Sequence, residues 1–516
     1  MTAPRIEDTL WTTFASHAKA IPEVKAILAP DREPLLFRDL PARMMEVRDA
    51  LNGFGIGRGD IVVGVLPGGP ETAVCLVGVA ACAAYFPLDP NLTEGELTRY
   101  LRRINPKAVI VAEGEAQSAR RAADGLGIMT IDLIARTDQP SGTFKLESRS
   151  SAQCDLPGWG TEADTALYIA TSGTTSDHKL IPRKQRHMIA QARAAVTHFR
   201  FTTADLGLLI MPLFHGHGME QALTVPLLAG SGIVCPPVFE IRTFFENLAR
   251  FRPTWYSAGF SHHSAILDAA GDYPKIVENN NLRYIRSGSG RLDPRVIVGL
   301  ETTFGVPVIE GLGMSEVPCV TCNPLPPAKR KPGTVGIALD GNVEIMDDRG
   351  QLLGPNSEGQ IVVRGSMVFE GYLEDPAATA AALVDGWYHT GDLGCLDDEG
   401  YLTIVGRIKE LINRGGEKIR PGEVEVALMQ HSDVKEAAAF PFPHPTLGEI
   451  VGAAIVPVTG TAPDRKDLMR FLADKLAPYK IPRDFTVLES LPKGRTGKID
   501  RTALTRMHTT PVKIPA

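Results

Sequence analysis

The 516-residue chain is expected to be an α/β protein, and three observations carry that expectation. From Asp60 onward short β-rich runs alternate with helical stretches, the pattern of parallel sheets covered by helices. From Gly333 to about Gly406 the runs are separated by acidic turns, which suits an antiparallel sheet or small barrel. Past Lys409 strand and helix mix again, over a tail long enough for a small separate domain.

The elements follow in order. Ile61–Leu66, Ala108–Val111 and Gly207–Met211 are expected as buried strands, with helices over Glu71–Tyr85 and His187–His198. The apolar run Ala73–Phe86 spans 14 residues before Pro87, short of the roughly 18 that cross a bilayer, so a buried helix is expected there. Val343–Met346, Gln360–Arg364 and Tyr401–Val405 are expected as strands between turns such as Asp347-Asp-Arg-Gly350 and Asp397-Asp-Glu-Gly400. Asp464–Lys475 has the spacing of an amphipathic helix. A boundary is drawn between 408 and 409, giving domains 1–408 and 409–516.

Composition narrows the function. Hydrophobic residues at 44% and charged residues at 22% exclude disorder, collagen and coiled coil. Fifty glycines and 39 prolines imply many tight turns and argue against an all-helical bundle. A net charge of −6 does not invite polyanions, so no nucleic-acid partner is expected. Seven scattered cysteines fit a reducing compartment, and the lone Cys319-x-x-Cys322 lacks the second pair that a zinc site needs. No apolar signal core or membrane span is present, so a cytoplasmic location without membrane insertion is expected.

The stretch most informative about chemistry is Thr171-Ser172-Gly173-Thr174-Thr175-Ser176-Asp177-His178-Lys179, directly after the apolar Ala166–Ala170. Its hydroxyls, glycine and lysine could face a polyphosphate, although it is not a Walker loop. A solvated turn explains the segment equally well when it is taken alone.

This loop resembles the phosphate loop of the adenylate-forming superfamily of acyl-CoA synthetases, adenylation domains and beetle luciferases. Further motifs of that superfamily recur in order. They are Pro212-Leu-Phe-His215, Glu310-Gly-Leu-Gly-Met-Ser-Glu316, Gly386-Trp-Tyr-His-Thr-Gly-Asp392, Gly406–Lys418 and Leu491-Pro-Lys-Gly-Arg-Thr-Gly-Lys498. The likeness runs from about Leu35 to Arg501 and implies a large N-terminal domain of two parallel-type sheets plus a small β-barrel. It also implies a mobile α+β C-terminal domain.

The resemblance implies ATP-dependent activation of a carboxylic acid, a small-molecule substrate, with pyrophosphate release and transfer of the acyl group from AMP to coenzyme A. A carrier-protein thiol or an amine is an alternative acceptor. Activation of nitrite by a diazotase and a silent nucleotide-binding protein are further alternatives. The catalytic residues implied are Lys498, Glu316, Thr174 and His215, with Lys498 bridging carboxylate and α-phosphate and Glu316 holding Mg²⁺. Nucleotide contacts are implied for Thr171, Ser172, Gly173, Thr174, Thr175 and Lys179, and for Ser289, Gly290 and Arg291. They are also implied for Glu310, Gly311, Leu312, Gly313, Met314 and Ser315, with Asp392 and Arg407 at the ribose.

For the thiol step the likeness implies a pantetheine tunnel at Gly415, Gly416 and Glu417, and a hinge at Lys409. The acyl pocket is expected to include His215, Gly259, Phe260, Ser287, Gly288, Gly313, Met314, Val317 and Pro318. His215 acts there as a gate, whereas His217 and the pair His262-His263 are expected to be structural. The nearest likeness is to oxalyl-CoA synthetases. Here Val317-Pro-Cys-Val-Thr-Cys322 lacks their substrate-facing histidine, which argues against oxalate. Gly288 and Gly290 stand where bulkier residues are usual and suggest room for a larger acid. Leu312 replaces the usual tyrosine, Ser315 the usual threonine, and Ser176 and His178 the common glycine and proline.

Overall fold

The computed structural model describes residues 4–149, 151–171, 179–458, 463–493 and 499–509. These form two compact units. The larger comprises the chain to Thr171, Lys179–Asn342 and Arg364–Gly386; the smaller comprises Val343–Val363 and the chain from Trp387.

Two sheets build the larger unit. The first has seven strands in the order Phe144–Glu147, Met129–Ala135, Ala108–Ala112, Ile61–Val65, Ala84–Pro87, Thr165–Ala170 and Leu180–Lys184. Its interior pairs are parallel and its outermost pairs antiparallel. The second has nine, running from Ile337–Ala338 and Thr321–Cys322 through Val308–Leu312, Tyr284–Ser287, Trp255–Ala258, Leu206–Leu209 and Gly232–Val234 to Lys25–Leu28 and Leu35–Leu36. Pairing is parallel from Val308–Leu312 across to Lys25–Leu28.

Burial explains the layering. Val62, Tyr85 and Leu167 of the first sheet share one core with Ile27, Ile233, Trp255 and Tyr284 of the second. Helices Pro70–Ala80 and Gln185–Phe199 contribute to the same core. Each sheet also buries its other face under helices, Glu94–Ile104 and Gln117–Asp124 on the first, Ile241–Phe251 and Pro294–Phe304 on the second. Strands buried on both faces read as continuous apolar runs, which is why Ile61–Val65 and Ala108–Ala112 were legible.

One expectation is corrected. The apolar run Ala73–Phe86 is not a single helix, because the helix stops at Ala80 and the chain turns into strand Ala84–Pro87. Tyr85 and Phe86 favour a pleated surface, and Ala84 to Pro87 pair in register with Ile61 to Gly64. Uniform burial leaves no polar residue to reveal the change of period.

The smaller unit contains a curled antiparallel sheet that includes Glu358–Val363, Trp387–Leu396 and Leu402–Arg407. It also contains a mixed sheet of Glu417–Ile419, Ile412–Arg414, Gly448–Pro457, Val434–His444 and Asp484–Val487. Helices Pro421–Leu428, Arg465–Ala473 and Arg501–Thr509 accompany that sheet. Among the described residues no helix is long and apolar enough to cross a membrane.

Candidate active site

The predicted positions of the larger unit gather at the carboxyl ends of parallel strands, the edge where α/β sheets bind ligands. Trp255–Ala258 runs into Gly259 and helix Phe260–Ala269, and Tyr284–Ser287 runs into Gly288, Ser289, Gly290 and Arg291. Val308–Leu312 carries Glu310 and Gly311 and continues into Gly313–Pro318.

His217 ties two of these strand ends together. Its Nδ1 lies 2.8 Å from Ser289 Oγ and its Nε2 lies 2.6 Å from Ser257 Oγ. Burial, reinforced by Arg286 and by His263, His262 and His215, pushes its pKa down to about 3. The ring is therefore neutral, with one nitrogen donating and the other accepting. A Cβ at Gly288 would stand 3.1 Å from His217 Cε1, so the space this glycine opens is taken by the imidazole. On that side the expectation of room for a larger acid is corrected. Gly290 faces open space.

His217 also begins a π-helix, His217–Thr224, a geometry found disproportionately at functional sites. His215 lies just before it, its pKa lowered by burial and partly restored by Asp89. Gln221 on the same helix donates to Pro318 O at 2.5 Å.

Arg286 and Ser287 are successive residues of strand Tyr284–Ser287 and so face opposite sides of the sheet, Arg286 on the side of Tyr284. Arg286 Nη2 contacts Cys319 Sγ at 3.5 Å, and its guanidinium lies 4.9 Å from the Phe199 ring. Among the described residues it meets no carboxylate. Ser287 Oγ is buried without a hydrogen-bond partner. Cys319 and Cys322 are free and buried. Among the described residues no cluster of three or more His, Cys, Asp or Glu side chains forms a metal cage.

The loop after Leu312 is tightly specified. Met314 N–H donates to Val317 O at 3.0 Å, and a Cβ at Gly313 would lie 2.1 Å from Pro318 O, which admits only glycine. Val317 is buried, whereas Leu312, Met314, Ser315, Glu316 and Pro318 are partly exposed. Glu310 is pushed up to about 7 by burial, against the pull of Arg291 and Arg330. Glu316 accepts the Tyr372 O–H on Oε1 at 2.8 Å. No described basic side chain pairs with Glu316. Mg²⁺ keeps waters and phosphate oxygens and takes only one or two protein carboxylates, so a single accessible Glu316 fits it.

The phosphate-loop residues Ser172, Gly173, Thr174, Thr175, Ser176 and His178 lie outside the described residues, as does Lys498. The loop's two ends are described. Thr171 N–H donates to Lys179 O at 2.9 Å, and Lys179 N–H donates to Thr171 Oγ1 at 3.1 Å, closing the antiparallel pair Thr165–Ala170 and Leu180–Lys184.

Within the smaller unit, Asp392 and Arg407 are cross-strand partners, with Arg407 Nε donating to Asp392 Oδ1 at 2.5 Å. That bond raises the guanidinium's pKa and leaves Asp392 mostly buried. Lys409 sits in the short helix Ile408–Glu410. Gly415 and Gly416, at φ 59° and 98°, form the two-residue turn between Ile412–Arg414 and Glu417–Ile419, where both positions need positive φ. A Cβ at Gly416 would meet nothing within 4 Å.

Two contributors escaped the sequence reading. Ser257 looks like any strand serine until His217 is found against it. Tyr372, in the loop Glu370-Gly-Tyr-Leu373, carries no periodicity, and only its adjacency to a glycine marked a turn.

Sheet order and strand-end geometry define an adenylate-forming enzyme, and the chain belongs to the AMP-binding enzyme family. Residues 14–373 match the family's AMP-binding enzyme model, and 423–498 match the AMP-binding enzyme C-terminal domain. It is similar to an oxalate–CoA ligase of Arabidopsis thaliana, 34% identical over 96% of this chain and 97% of that one. A sulfoacetate–CoA ligase of Cupriavidus necator is 31% identical over 98% of each. The ATP-bound crystal structure of MatB from Rhodopseudomonas palustris superposes with a TM-score of 0.86 at 26% identity, covering 98% of this chain and 99% of that one. With relatives of this kind along its whole length, the chain is an AMP-forming acid–CoA ligase.

Proposed function

We propose that the acid activated is short and carries a second polar or anionic group. The observation that carries this is Arg286, half-buried beside the neutral His217 and without a carboxylate partner among the described residues. A guanidinium with no anionic partner gains a charge-assisted hydrogen bond from an anionic ligand group. His217 filling the space at Gly288 supports a short chain over a bulky one. The relatives that act on oxalate and sulfoacetate support the same class.

In this reading the acid's carboxylate attacks the α-phosphorus of ATP, and the bond to pyrophosphate breaks. The thiol of coenzyme A then attacks the acyl carbon, and AMP leaves. Charge neutralisation dominates the first step, because negative charge moves onto pyrophosphate. Thr171 to Thr175 and Lys179 cradle the phosphates. Glu316 holds Mg²⁺, which would neutralise phosphate charge, and Lys498 contacts the reacting carboxylate. Ser289 to Arg291 and Glu310 to Ser315 line the adenine, while Asp392, assisted by Arg407, accepts the ribose hydroxyls. His215, Gly259, Phe260, Ser287, Gly288, Gly313, Met314, Val317 and Pro318 shape the acyl pocket. Gly415, Gly416 and Glu417 pass the pantetheine, and Lys409 is the hinge between domains 1–408 and 409–516.

Pyrophosphate release, measured over monocarboxylic, dicarboxylic, sulfonated and aryl acids with and without coenzyme A, tests the substrate class. Short acids with a second acidic group should lead, and Arg286→Met should erase their advantage over neutral acids of equal length. A preference for long or aryl acids would overturn it.

A further inference from the structure

Lys179 and Glu316 carry opposite charges, yet no ion pair joins them; both engage Tyr372 instead. The Lys179 ammonium lies 4.2 Å from the centroid of the Tyr372 ring, and the Tyr372 hydroxyl donates to Glu316 Oε1 at 2.8 Å. The phenol is 9% exposed, and its own backbone N–H donates to Thr379 Oγ1 at 2.9 Å.

The segment around it is fastened on both sides. Toward the strand that follows the phosphate loop, Leu373 N–H donates to Leu180 O at 2.8 Å, and Met367 O accepts from the buried Arg183 at 2.8 Å. Lys184 also pairs with Glu370 at 2.6 Å, an exposed contact of small worth beside the other two. Toward the Glu316 loop, Phe369 N–H donates to Glu316 O at 3.0 Å. The stretch 367–373 thus holds the phosphate-loop strand and the Glu316 loop in fixed register.

We propose that Tyr372 is a positioning residue for adenylation, a wedge that keeps Lys179 and Glu316 from neutralising each other and aims the Glu316 carboxylate at the metal. Its hydroxyl occupies one oxygen of that carboxylate and leaves the other for Mg²⁺. Its ring holds the ammonium by cation–π attraction, which restrains the charge without cancelling it. This rests on Glu316 as the magnesium carboxylate and Lys179 as the phosphate-loop lysine.

The test is the Mg²⁺ dependence of ATP binding by the full-length protein, followed by calorimetry, beside the Mg²⁺ dependence of pyrophosphate release. Tyr372→Phe keeps the ring and loses the hydrogen bond. It should raise the Mg²⁺ half-saturation by about tenfold or more, the lower end of a lost bond to a charged group. ATP binding in EDTA should stay within about twofold, which a loosened fold would not allow. In a Glu316→Gln background the same substitution should add almost nothing, since residues acting through one another are not additive. Equal weakening in EDTA, full additivity with Glu316→Gln, or an unmoved Mg²⁺ dependence in Tyr372→Phe would each overturn the proposal. If Glu316→Gln itself left the Mg²⁺ dependence unmoved, the assignment of magnesium to Glu316 would fail and this inference with it.

Discussion

Arg183 and Glu220 form an ion pair with both side chains wholly shielded from solvent, Nε to Oε1 at 3.1 Å. It joins the strand after the phosphate loop to the middle of the π-helix that begins at His217. Burial raises the Glu220 pKa and Arg183 opposes that rise. Arg183 Nη2 and Glu220 Oε2 have no hydrogen-bond partner, so the pair is incompletely satisfied.

Removing one partner of such a pair strands the other charge. Glu220→Ala should destabilise the larger unit by about 3–5 kcal/mol, whereas a double replacement by Arg183→Met and Glu220→Leu should restore much of the loss. Urea unfolding of the parent protein and the two variants, followed by intrinsic fluorescence, checks the ordering. A single variant no less stable than the double one contradicts it.

Lys498→Ala should abolish pyrophosphate release with the acid substrate, while thioester formation from preformed acyl-adenylate survives at a large fraction of the original rate. Single-turnover assays of each half-reaction separate the two. Equal loss of both would contradict the role assigned to this ammonium.

Gly416→Leu should do the converse, slowing the thioester step and sparing adenylation. The open space beside Gly416 accepts a side chain, but its φ of 98° makes the substitution strained. Gly422→Leu, on helix Pro421–Leu428 and also free of steric neighbours, is the control for added bulk. A thioester rate unchanged in Gly416→Leu, or depressed equally in the control, would remove Gly416 from the thiol path.

Glu310 supplies a pH signature. Its folded pKa of about 7 lies above the ordinary 4.5, so the native state holds a proton that the unfolded chain releases. Its contribution to stability is complete below about 4.5 and is lost as pH rises through about 7. Glu310→Gln should flatten the fall in melting temperature between pH 5 and 8, as scanning calorimetry would record. An unchanged slope would mean that other groups set it.

The parallel strands and the helix Gln185–Phe199 were legible because burial leaves a local signature in composition and period. The break after Ala80 was not, since helix and strand are equally apolar there and only pairing with Ile61–Val65 decides. Gly313 was named from its motif, but its cause is the approach of Pro318 O, a contact that local sequence does not display. Arg183 and Glu220 carry no local signal of their burial, which depends on a pairing across 37 positions. Tyr372 depends on partners at Lys179 and Glu316, which no local pattern links to it.

The place of strand Lys25–Leu28 bears on biosynthesis. Its parallel neighbour is Gly232–Val234, with Ile27 opposite Ile233, so the segment leaves the ribosome about two hundred residues before that neighbour. In the interval its apolar edge is a natural client for chaperones. Slowing translation between the two strands should therefore raise the aggregated fraction more than slowing it after Val234.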